Sequence, residues 1–561
     1  MERTEVVVIG AGSTGSAVVR DLALRGVEAI LLERGDLCSG TTGKCHGMLH
    51  SGARYAVKDK ESAKECIREN KILQKIAPHV LERTGGLFIG FEEYQKNWPD
   101  YKDKKIQGCK ECGIPVEEIT PKEALEMEPN LNPEIASALY IPDDGAVHVF
   151  QFVISMCLDA KKNGASIRPY NEVIGFLNEG NTIRGVRVKD HIKNKIYEIE
   201  SEIVINAAGP WAGKIAKMAG VDIPLTPSPG VMVVINRRVV NRVINQLRPT
   251  ADGDIIVPHH TTAIIGTTEW EIEDPDMLTT PKDHIELMIK EGTKMSPIVK
   301  HCRLIRAYSA ARPLIGEMGI APGRELSRTF KAFDHETLHN LEGFLTITGG
   351  KMCTARGMAE TVVDLACEKL GVRAKCTTHK EPLPGSEGEV DVMAVAKEYN
   401  LVKIYAQRIV DKLGTQAREA LEPTKKEPFR GCLVCMDEFV TRAEIEYAVK
   451  HQWAHFIYDI RRRTRQGMGT CQGGTCSHIV AGILVEEFDR DPVDVHADLL
   501  SALKLRWAGD RFLLWGDHLR QHKLNEAIYS CLGNYDKLGK DLPFSMPIFG
   551  ELPWKGKNLK S

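Results

Sequence analysis

The chain has 561 residues and a mass of 62.4 kDa, several times the length of a typical domain, so we expect about three or four folding units. Hydrophobic residues make up 43% and charged residues 27%, which excludes a collagen-like or wholly disordered chain. The formal charge of -2 provides no overall field that would favour nucleic acid. The 15 cysteines are an odd number spread along a long chain, which predicts reduced thiols, some of them metal ligands, rather than a disulfide scaffold.

The sequence has neither the pattern of a signal peptide nor that of a membrane helix. Residues 1–5 run directly into an apolar strand-like segment, and no stretch reaches about 18 apolar residues. We therefore expect a cytoplasmic protein. Any association with a membrane, such as a peripheral position at the inner membrane, would come through partner subunits or an amphipathic surface.

The first elements in chain order are a strand, a helix and a second strand. Residues 5–9 (EVVVI) are apolar and mostly β-branched, residues 13–25 carry apolar side chains at helical spacing before Gly26, and residues 29–33 form another apolar run. Three such elements within about 30 residues predict a βαβ unit, which requires a right-handed crossover and a parallel sheet.

Gly10, Gly12 and Gly15 form a GxGxxG motif between the first strand and the first helix. The first glycine permits a tight turn, the second lets backbone approach a pyrophosphate, and the third allows close helix packing. Glu33 ends the second strand, where a carboxylate can accept ribose hydroxyls. The motif predicts a dinucleotide site, and a purely structural glycine turn is the alternative.

The glycine motif alone does not distinguish NAD from FAD. Three features favour FAD: the small-residue loop SGTTG at 39–43, the sequence NAAG at 206–209, and the pair Gly349 and Gly350 ahead of a helix. The sequence contains no second GxGxxG that would mark a separate NAD domain.

Further strands are predicted at 202–206, 231–235, 263–266 and 344–348. Because the glycine-bearing segments are far apart, we expect one nucleotide domain assembled from distant segments, with a substrate domain built from insertions. The predicted division is an FAD-binding domain at 1–85, 145–220 and 331–372, a substrate domain at 86–144 and 221–330, a helical connector at 373–428, a cysteine module at 429–490, and a C-terminal helical segment with a Pro-rich tail at 491–561.

The cysteine module contains two cysteine pairs. Cys432 and Cys435 form CxxC, and Cys471 and Cys476 form CxxxxC. Four thiolates in this arrangement could hold a [2Fe-2S] cluster or a tetrahedral zinc ion, and a relict site without metal is a third alternative. The basic run at 461–465 (RRRTR) would compensate an anionic cluster, bind a partner protein, or form a solvated face. The CxxC at 109–112 has no second pair nearby and is interpreted as two helix residues.

Three segments of the chain resemble the FAD-dependent glycerol-3-phosphate dehydrogenases: HGMLHSGARYAV at 46–57, AYSAARPL at 307–314 and ITGGKMCTAR at 347–356. The run DIRRRTRQGMGTCQGGTC at 459–476 is similar to the catalytic subunit of the anaerobic three-subunit enzyme. The resemblance covers residues 5 to about 535. It implies an α/β fold with a glutathione-reductase-like FAD-binding domain, an antiparallel-sheet substrate domain, and a small C-terminal helical [2Fe-2S] domain like bacterioferritin-associated ferredoxin.

The resemblance also implies an activity. The family oxidises sn-glycerol 3-phosphate at C2 to dihydroxyacetone phosphate, with hydride passing to flavin N5 and electrons continuing through flavin and Fe-S partner subunits to membrane quinone. The alternatives are a related flavin enzyme acting on another small hydroxy acid or amine, and a non-catalytic flavin/Fe-S electron-relay protein. A nucleic-acid partner is not expected.

A dianionic phosphate requires cations. Arg54, Arg312 and Lys351 lie in the matching motifs and suit that role, while Tyr55 matches a substrate contact of the family.

The hydroxyl group of the substrate requires a base. His50 is the main candidate, because it lies in the loop after the flavin-binding turn and has a suitable unperturbed pKa. Relatives of the membrane-peripheral type carry a histidine where this chain has Val231, so His259 and His260 are alternative candidates.

The resemblance assigns ligands to both cofactors. In the family, the first cluster pair is CxC, matched here by Cys435 and Asp437, so either Cys432 replaces the missing thiolate, or Asp437 binds iron, or the cluster is weakened or absent. The candidate metal ligands are Cys432, Cys435, Asp437, Cys471 and Cys476. The candidate FAD contacts are Gly10, Gly12, Gly15, Glu33, Arg34, Thr42, Gly43, Gly47, Ala208, Gly209, Gly349, Gly350 and Met352.

Overall fold

The computed structural model describes residues 2–316, 329–511, 513–514 and 516–532. The predicted Pro-rich tail and residues 317–328 of the predicted substrate domain lie outside the described residues.

The strands, numbered in chain order, have the following bounds: β1 (Glu2–Ile9), β2 (Ala29–Leu32), β3 (Met48–Leu49), β4 (Leu81–Glu82), β5 (Gly86–Phe91), β6 (Glu117–Ile119), β7 (Ile135–Ile141), β8 (Gly145–Val147), β9 (Ser166–Arg168), β10 (Asn171–Glu179), β11 (Thr182–Asp190), β12 (Lys195–Asn206), β13 (Leu225–Ile235), β14 (Val243–Gln246), β15 (Ile255–His259), β16 (Thr262–Gly266), β17 (Leu304–Ile315), β18 (Phe330–Asp334), β19 (Phe344–Gly349), β20 (Leu433–Cys435) and β21 (Val440–Thr441).

The α-helices have the following bounds: α1 (Ser13–Leu24), α2 (Lys60–Ile76), α3 (Glu92–Asn97), α4 (Tyr101–Glu111), α5 (Pro121–Met127), α6 (Val149–Lys162), α7 (Ala212–Met218), α8 (Lys282–Met295), α9 (His335–His339), α10 (Ala355–Leu370), α11 (Val392–Glu398), α12 (Lys403–Leu413), α13 (Ala417–Leu421), α14 (Arg442–His451), α15 (Ile457–Thr464), α16 (Cys476–Phe488), α17 (Pro492–Arg511) and α18 (Gly516–Leu532).

The first sheet is built around β1, whose valines at 6, 7 and 8 are completely buried. β1 pairs in parallel with β2 on one side and with β12 on the other, and β12 pairs in parallel with β19. The antiparallel strands β10, β11 and β18 extend this sheet at its margins. Helix α1 packs against α6 and α10, so that a single apolar core covers one face of the sheet. Burial of the β1 valines is the pattern expected of a parallel strand covered on both faces.

The predicted βαβ unit is confirmed. It consists of β1, α1 and β2, with Gly26 in the left-handed region (φ +78°) directly after the first helix. The later strand predictions are also confirmed, by β12, β13, β16 and β19.

The second sheet has the strand order β17-β13-β16-β15-β14-β5-β7-β6. Its neighbours pair antiparallel, and β14 and β5 pair in parallel. Helix α8 packs against this sheet, on β13 and β16. The long β13–β17 pair places the segment from Ser309 to Leu314 at the boundary with the first sheet. The second sheet therefore supplies one wall of the cleft described below.

The C-terminal part of the chain is mainly helical. Helices α11 to α13 follow α10, and a short hairpin of β20 and β21 then precedes α14, α15 and α16, which share one apolar core. Cys109 lies in α4 and Cys112 caps the same helix, in agreement with their interpretation as helix residues. No helix in the described part of the chain is both long enough and apolar enough to cross a bilayer.

The arginines at 461–465 do not form a solvated face, and that alternative is wrong. Arg462 and Arg463 donate to the buried Asp36 carboxylate, in the loop after β2, at 2.7 and 2.8 Å. Arg465 donates to Glu438 at 2.8 Å, and Arg461 donates to the carbonyl of Gly467. The run therefore joins the C-terminal domain to the first-sheet domain through buried ion pairs.

Candidate active site

A cleft of about 460 Å³ opens where β1, β12 and β19 end, between the two sheets. Side chains from both sheets line it, which explains why residues about 300 positions apart meet there. The sequence-predicted residues among its lining are Thr42, His50, Arg54, Tyr55, Gly209, Arg312, Gly349, Gly350, Lys351 and Met352. A more open groove of about 860 Å³ lies elsewhere, along Arg168, Tyr197 and His455, and contains none of the predicted site residues.

The glycine motif forms a turn that only small residues can occupy. Gly10 has φ +100°, and a Cβ there would lie 3.0 Å from the carbonyl oxygen of Ala207. A Cβ on Gly15 would lie 1.8 Å from the carbonyl oxygen of Gly10, so α1 can start only this close to β1 if residue 15 is glycine. Gly12 caps α1 without a side chain of its own. This is the arrangement that leaves a helix N-terminus open to a phosphate.

Glu33 lies directly after β2, beside the glycine turn. Its Oε2 accepts from the backbone N–H of Ala11 at 2.8 Å and its Oε1 from that of Gly35 at 2.9 Å. Burial raises the pKa of Glu33, and the two backbone hydrogen bonds oppose that rise. The carboxylate is thereby held in a fixed orientation next to the turn, the position from which such acids bind ribose.

The other candidate FAD contacts surround this turn and the cleft. The Thr42 hydroxyl accepts from the backbone N–H of Ser13 at 3.1 Å, and a Cβ on Gly12 would lie 3.1 Å from the same oxygen. Arg34 stacks on the Trp211 ring at 4.7 Å and donates to Asp276 at 2.9 Å. The narrow glycine cradle beside Thr42 fits a dinucleotide such as FAD. The remaining assignments, Gly43, Gly47 and Ala208, are part of the backbone around the same cleft.

Two arginines reach the cleft from opposite walls. Arg54 donates to the buried Asp254 at 3.2 Å. The Arg312 guanidinium, on β17, donates to the carbonyls of Ser228 (3.1 Å), Pro229 (2.8 Å) and Thr268 (2.9 Å). Because carbonyl oxygens carry no formal charge, Arg312 keeps its positive charge uncompensated by these three partners, which is suitable for binding an anion.

Lys351 lies in the turn after β19, with its ammonium 4.5 Å from the centre of the Tyr55 ring. Burial lowers the pKa of Lys351, but Cys66, Tyr55 and Cys353 outweigh this effect and raise it. Lys351 is thus charged, and Tyr55 holds it by a cation–π contact in the cleft.

His50 lies in the cleft wall and is buried, and its Nδ1 has no hydrogen-bond partner among the described residues. Burial lowers the pKa of His50 well below its usual value, and His46 and the cations Lys351 and Arg54 add to this effect. The imidazole is therefore neutral, and a neutral imidazole with an unpaired ring nitrogen is able to accept a proton.

His259 and His260 are placed less favourably. His259 Nε2 bonds to the carbonyl oxygen of His46 at 2.7 Å, while the His260 ring contacts His148 Nε2 on one side and Arg408 on the other. Neither histidine is part of the cleft lining. The geometry therefore favours His50 over both alternatives as the base.

Sequence reasoning did not single out His46 or Cys45, which also line the cleft. Burial lowers the pKa of His46 to about 3 and raises that of Cys45 to about 11, so both are neutral. The motif HGMLH, with histidines four residues apart, was the available signal for His46.

Three buried side chains hold the loop that carries His50 and Arg54. Asn70 donates to the carbonyl of His50 at 3.1 Å, Asp144 accepts from the N–H of Ser51 at 2.9 Å, and the Lys105 ammonium donates to the carbonyl of Ala53 at 2.8 Å. Burial lowers the pKa of Lys105 to about 8. No local sequence pattern marks these residues, because their partners come from other segments.

In the cysteine module, three of the predicted ligands meet. The Cys476 thiol contacts both Cys435 and Cys471, and Asp437 accepts from the backbone N–H of Cys471 at 2.7 Å. Hydrogen bonding to Cys476 lowers the pKa of Cys435 and Cys471, while the same contacts raise that of Cys476. Thiolate character at these positions suits a soft metal.

Cys432 differs from these residues because it is exposed, and it is not among the thiols that Cys476 contacts. Within the residues that the structure describes, no group of three or more His, Cys, Asp or Glu side chains has a metal-binding geometry. The module therefore brings Cys435, Asp437, Cys471 and Cys476 together, and the nature of any bound metal is not shown.

The glycine turn, the Glu33 carboxylate and the adjoining cleft define an FAD-dependent oxidoreductase. Residues 5–365 match the family described as "FAD dependent oxidoreductase", and residues 376–494 match that described as "C-terminal domain of alpha-glycerophosphate oxidase". The chain is 40% identical to the A1 subunit of the anaerobic glycerol-3-phosphate dehydrogenase of Haloferax volcanii, over 95% of this chain and 91% of that protein. It is 39% identical to the A subunit of the Escherichia coli K12 enzyme, over 96% and 98%. The chain therefore belongs to the family formed by the A subunits of anaerobic glycerol-3-phosphate dehydrogenases, as its motifs predict.

Solved structures share the fold at lower identity. The glycerol-3-phosphate dehydrogenase of Bacillus halodurans, solved with FAD, has a TM-score of 0.71 at 20% identity and covers 92% of this chain and 97% of its own. The L-alpha-glycerophosphate oxidase of Mycoplasma pneumoniae, also with FAD bound, has a TM-score of 0.56 at 20% identity and covers 68% and 100%. The FAD-dependent oxidoreductase fold and FAD as cofactor are confirmed, together with a C-terminal helical domain.

Proposed function

We propose that this chain oxidises sn-glycerol 3-phosphate to dihydroxyacetone phosphate. The observation that carries the proposal is the convergence of three cations, Arg54, Arg312 and Lys351, with one neutral buried histidine, His50, in the same cleft. The names of the relatives from Haloferax volcanii and Escherichia coli support this substrate.

The three cations would bind the phosphate. Arg54 comes from the loop after β3, Arg312 from the second sheet and Lys351 from the turn after β19, so a dianion between them would be bound from several directions. Arginine offers a planar pair of donors to phosphate oxygens, whereas lysine offers a compact charge. Asp254 and the carbonyl partners of Arg312 hold the two guanidinium groups in place before substrate binds.

His50 would take the proton of the C2 hydroxyl. Oxidation of a secondary alcohol removes one hydride and one proton, so a base is needed beside the hydride acceptor. The unpaired His50 Nδ1 can accept that proton, and Tyr55, whose ring lies 5.6 Å from the His50 ring, would exclude water beside it. FAD, when bound, supplies the acceptor for the C2 hydride at N5.

We further propose that Cys435, Cys471, Cys476 and Asp437 hold a [2Fe-2S] cluster, with Asp437 in place of the missing cysteine of the family's pair. Support comes from the contacts of Cys476 with two thiols and from the position of Asp437 beside Cys471. Such a cluster, when bound, is a one-electron carrier. Cys432 is too exposed to be preferred as a ligand.

The relatives are named as single lettered subunits of their enzymes, which supports a multi-subunit enzyme here as well. We propose that flavin and Fe-S partner subunits receive the electrons and pass them toward membrane quinone. Attachment to the inner membrane would then be peripheral and would depend on those partners. The domain limits given above are likewise proposed for this chain.

Anaerobic titration of the purified holoenzyme tests the activity. Glycerol 3-phosphate should bleach the flavin absorbance, and dihydroxyacetone phosphate should accumulate in equal amount. Glycerol, which lacks the phosphate, and lactate are the comparison substrates. Bleaching by lactate or an amino acid but not by glycerol 3-phosphate would refute the proposed substrate. A flavin that no substrate reduces would favour an electron-relay protein instead.

A further inference from the structure

Two cysteines form a buried thiol pair next to the candidate active site. Cys66 lies on α2 and Cys353 lies two residues after Lys351, and their sulfur atoms are 3.9 Å apart. Cys66 has no exposed surface, and Cys353 is 1% exposed. Neither residue has a role in the proposed mechanism.

The surroundings of the pair favour reaction. Hydrogen bonding from Cys353 lowers the pKa of Cys66 despite burial, and the Lys351 charge acts in the same direction. A thiolate is the reactive form of cysteine toward oxidants and disulfides. Cys353 belongs to the lining of the cleft, so a molecule as small as hydrogen peroxide can reach the pair from the substrate side.

The geometry also suits a bond between the two sulfurs. A disulfide requires about 2.05 Å between them, so side-chain rotation and a small shift of the turn must close the remaining distance. Helix α2 packs directly against the 3-10 turn Met352–Thr354, which carries Cys353. The two residues are therefore on neighbouring elements that a disulfide would tie together.

We propose that Cys66 and Cys353 are a peroxide-oxidisable dithiol. The Cys66 thiolate attacks hydrogen peroxide, which forms a sulfenic acid on Cys66 and releases hydroxide that is protonated to water. The Cys353 thiol then attacks the Cys66 sulfur, and the sulfenic hydroxyl leaves as a second water. In total, two thiols and one peroxide give one disulfide and two waters, and a thiol reductant reverses the change.

The disulfide would change the position and environment of Lys351. It removes the thiolate charge that faces the ammonium group, and it pulls on the turn that carries Lys351. This consequence rests on the proposed function, in which Lys351 binds the substrate phosphate. We expect the KM for glycerol 3-phosphate to rise about tenfold on oxidation, the size expected for a weakened charged hydrogen bond.

The experiment uses the flavin-loaded holoenzyme. The protein is treated with hydrogen peroxide, freed of peroxide, alkylated and digested, and the peptides are analysed by mass spectrometry with and without dithiothreitol. A peptide pair linked through Cys66 and Cys353, with a KM rise that dithiothreitol reverses, is the expected result. Cys66→Ser should keep its KM under peroxide. Cys157→Ser, which removes a buried thiol on α6 that is bonded to Ser16 and lies outside the cleft lining, should respond like wild type.

Two results would overturn the proposal. One is the absence of the linked peptide while other cysteines, such as the exposed Cys432, become oxidised. The other is an equal KM rise in Cys66→Ser, or in Cys353→Ser if the first variant does not fold. If the linked peptide forms but the KM stays constant, the dithiol stands and the phosphate-binding role of Lys351 is refuted.

Discussion

The active-site cleft and the thiol cluster are both assembled from distant segments, but they are built from different parts of the chain. Backbone forms much of the cleft: the glycine turn, the ends of parallel strands, and carbonyls that hold Arg312. Side chains alone form the cluster, through contacts of Cys476 with Cys435 and Cys471. A site made by backbone is complete once the sheets have formed, whereas a site made by thiols depends on the group that it binds.

The largest expected effect concerns the backbone part of the cleft. Gly15→Val should abolish FAD binding and cost about 3 kcal/mol or more of stability, because its Cβ would meet the carbonyl oxygen of Gly10. Flavin absorbance of the purified protein and its thermal midpoint measure the two effects. Gly482→Ala, in α16, has open space around the new methyl group and serves as the control, which should keep its flavin. A flavin-replete Gly15→Val would show that the turn does not determine cofactor binding.

A smaller effect is expected at the substrate end of the cleft. Arg312→Ala should raise the KM for glycerol 3-phosphate by roughly 10- to 150-fold, which corresponds to about 1.5–3 kcal/mol for a charged hydrogen-bond partner. Arg312→Lys should recover part of the loss. Arg187→Ala removes an exposed arginine paired with Glu198 on the first sheet and should leave steady-state kinetics unchanged. An unaltered KM in Arg312→Ala would contradict its role in phosphate binding.

The thiol cluster should respond independently of the cleft. Cys471→Ser should remove the iron signal from anaerobically purified protein, because it deletes a thiol at the centre of the cluster. Reduction of the flavin by substrate should persist in this variant. Cys432→Ser is the matched control and should retain iron, since Cys432 is exposed. Iron and zinc are measured by elemental analysis. Loss of iron only in Cys432→Ser would reverse the proposed ligand set, and zinc in place of iron would refute the cluster.

The smallest effect concerns pH. The folded pKa of His50 lies well below its unfolded value near 6.5, so the unfolded chain binds more protons at mildly acidic pH. The contribution of neutral His50 is therefore present in full above the unfolded value and is lost as the pH falls. Between about pH 7.5 and about pH 5.5, wild type should lose about 1.4 kcal/mol more stability than His50→Gln. Unfolding of both proteins at the two pH values measures this difference, and equal losses would show that His50 is accessible to protons when folded.

The sequence allows prediction of those parts of the fold and site that local patterns determine. The βαβ unit, the glycine turn, Glu33 and the cluster of cations follow from apolar periodicity, glycine spacing and family motifs. Lys105 and Asn70 were not predictable in the same way, because each acts on a backbone carbonyl from another segment. The arginines at 461–465 were misjudged as possible surface residues because their partner, Asp36, lies more than 400 positions away.

The ion pairs between Asp36 and the arginines of α15 have a mechanical consequence. Asp36 lies three residues after Glu33, and its carboxylate and the Arg463 guanidinium are both fully buried. Removing one member of such a pair typically costs about 3–5 kcal/mol, because the other charge remains in a dry interior. A chain shortened before residue 429 would thus lose the counter-charge of the loop that orients the cofactor-binding acid. The C-terminal domain is consequently a fixed buttress of the flavin domain, and electrons that leave the flavin by this route cross a rigid contact rather than ride on a swinging arm.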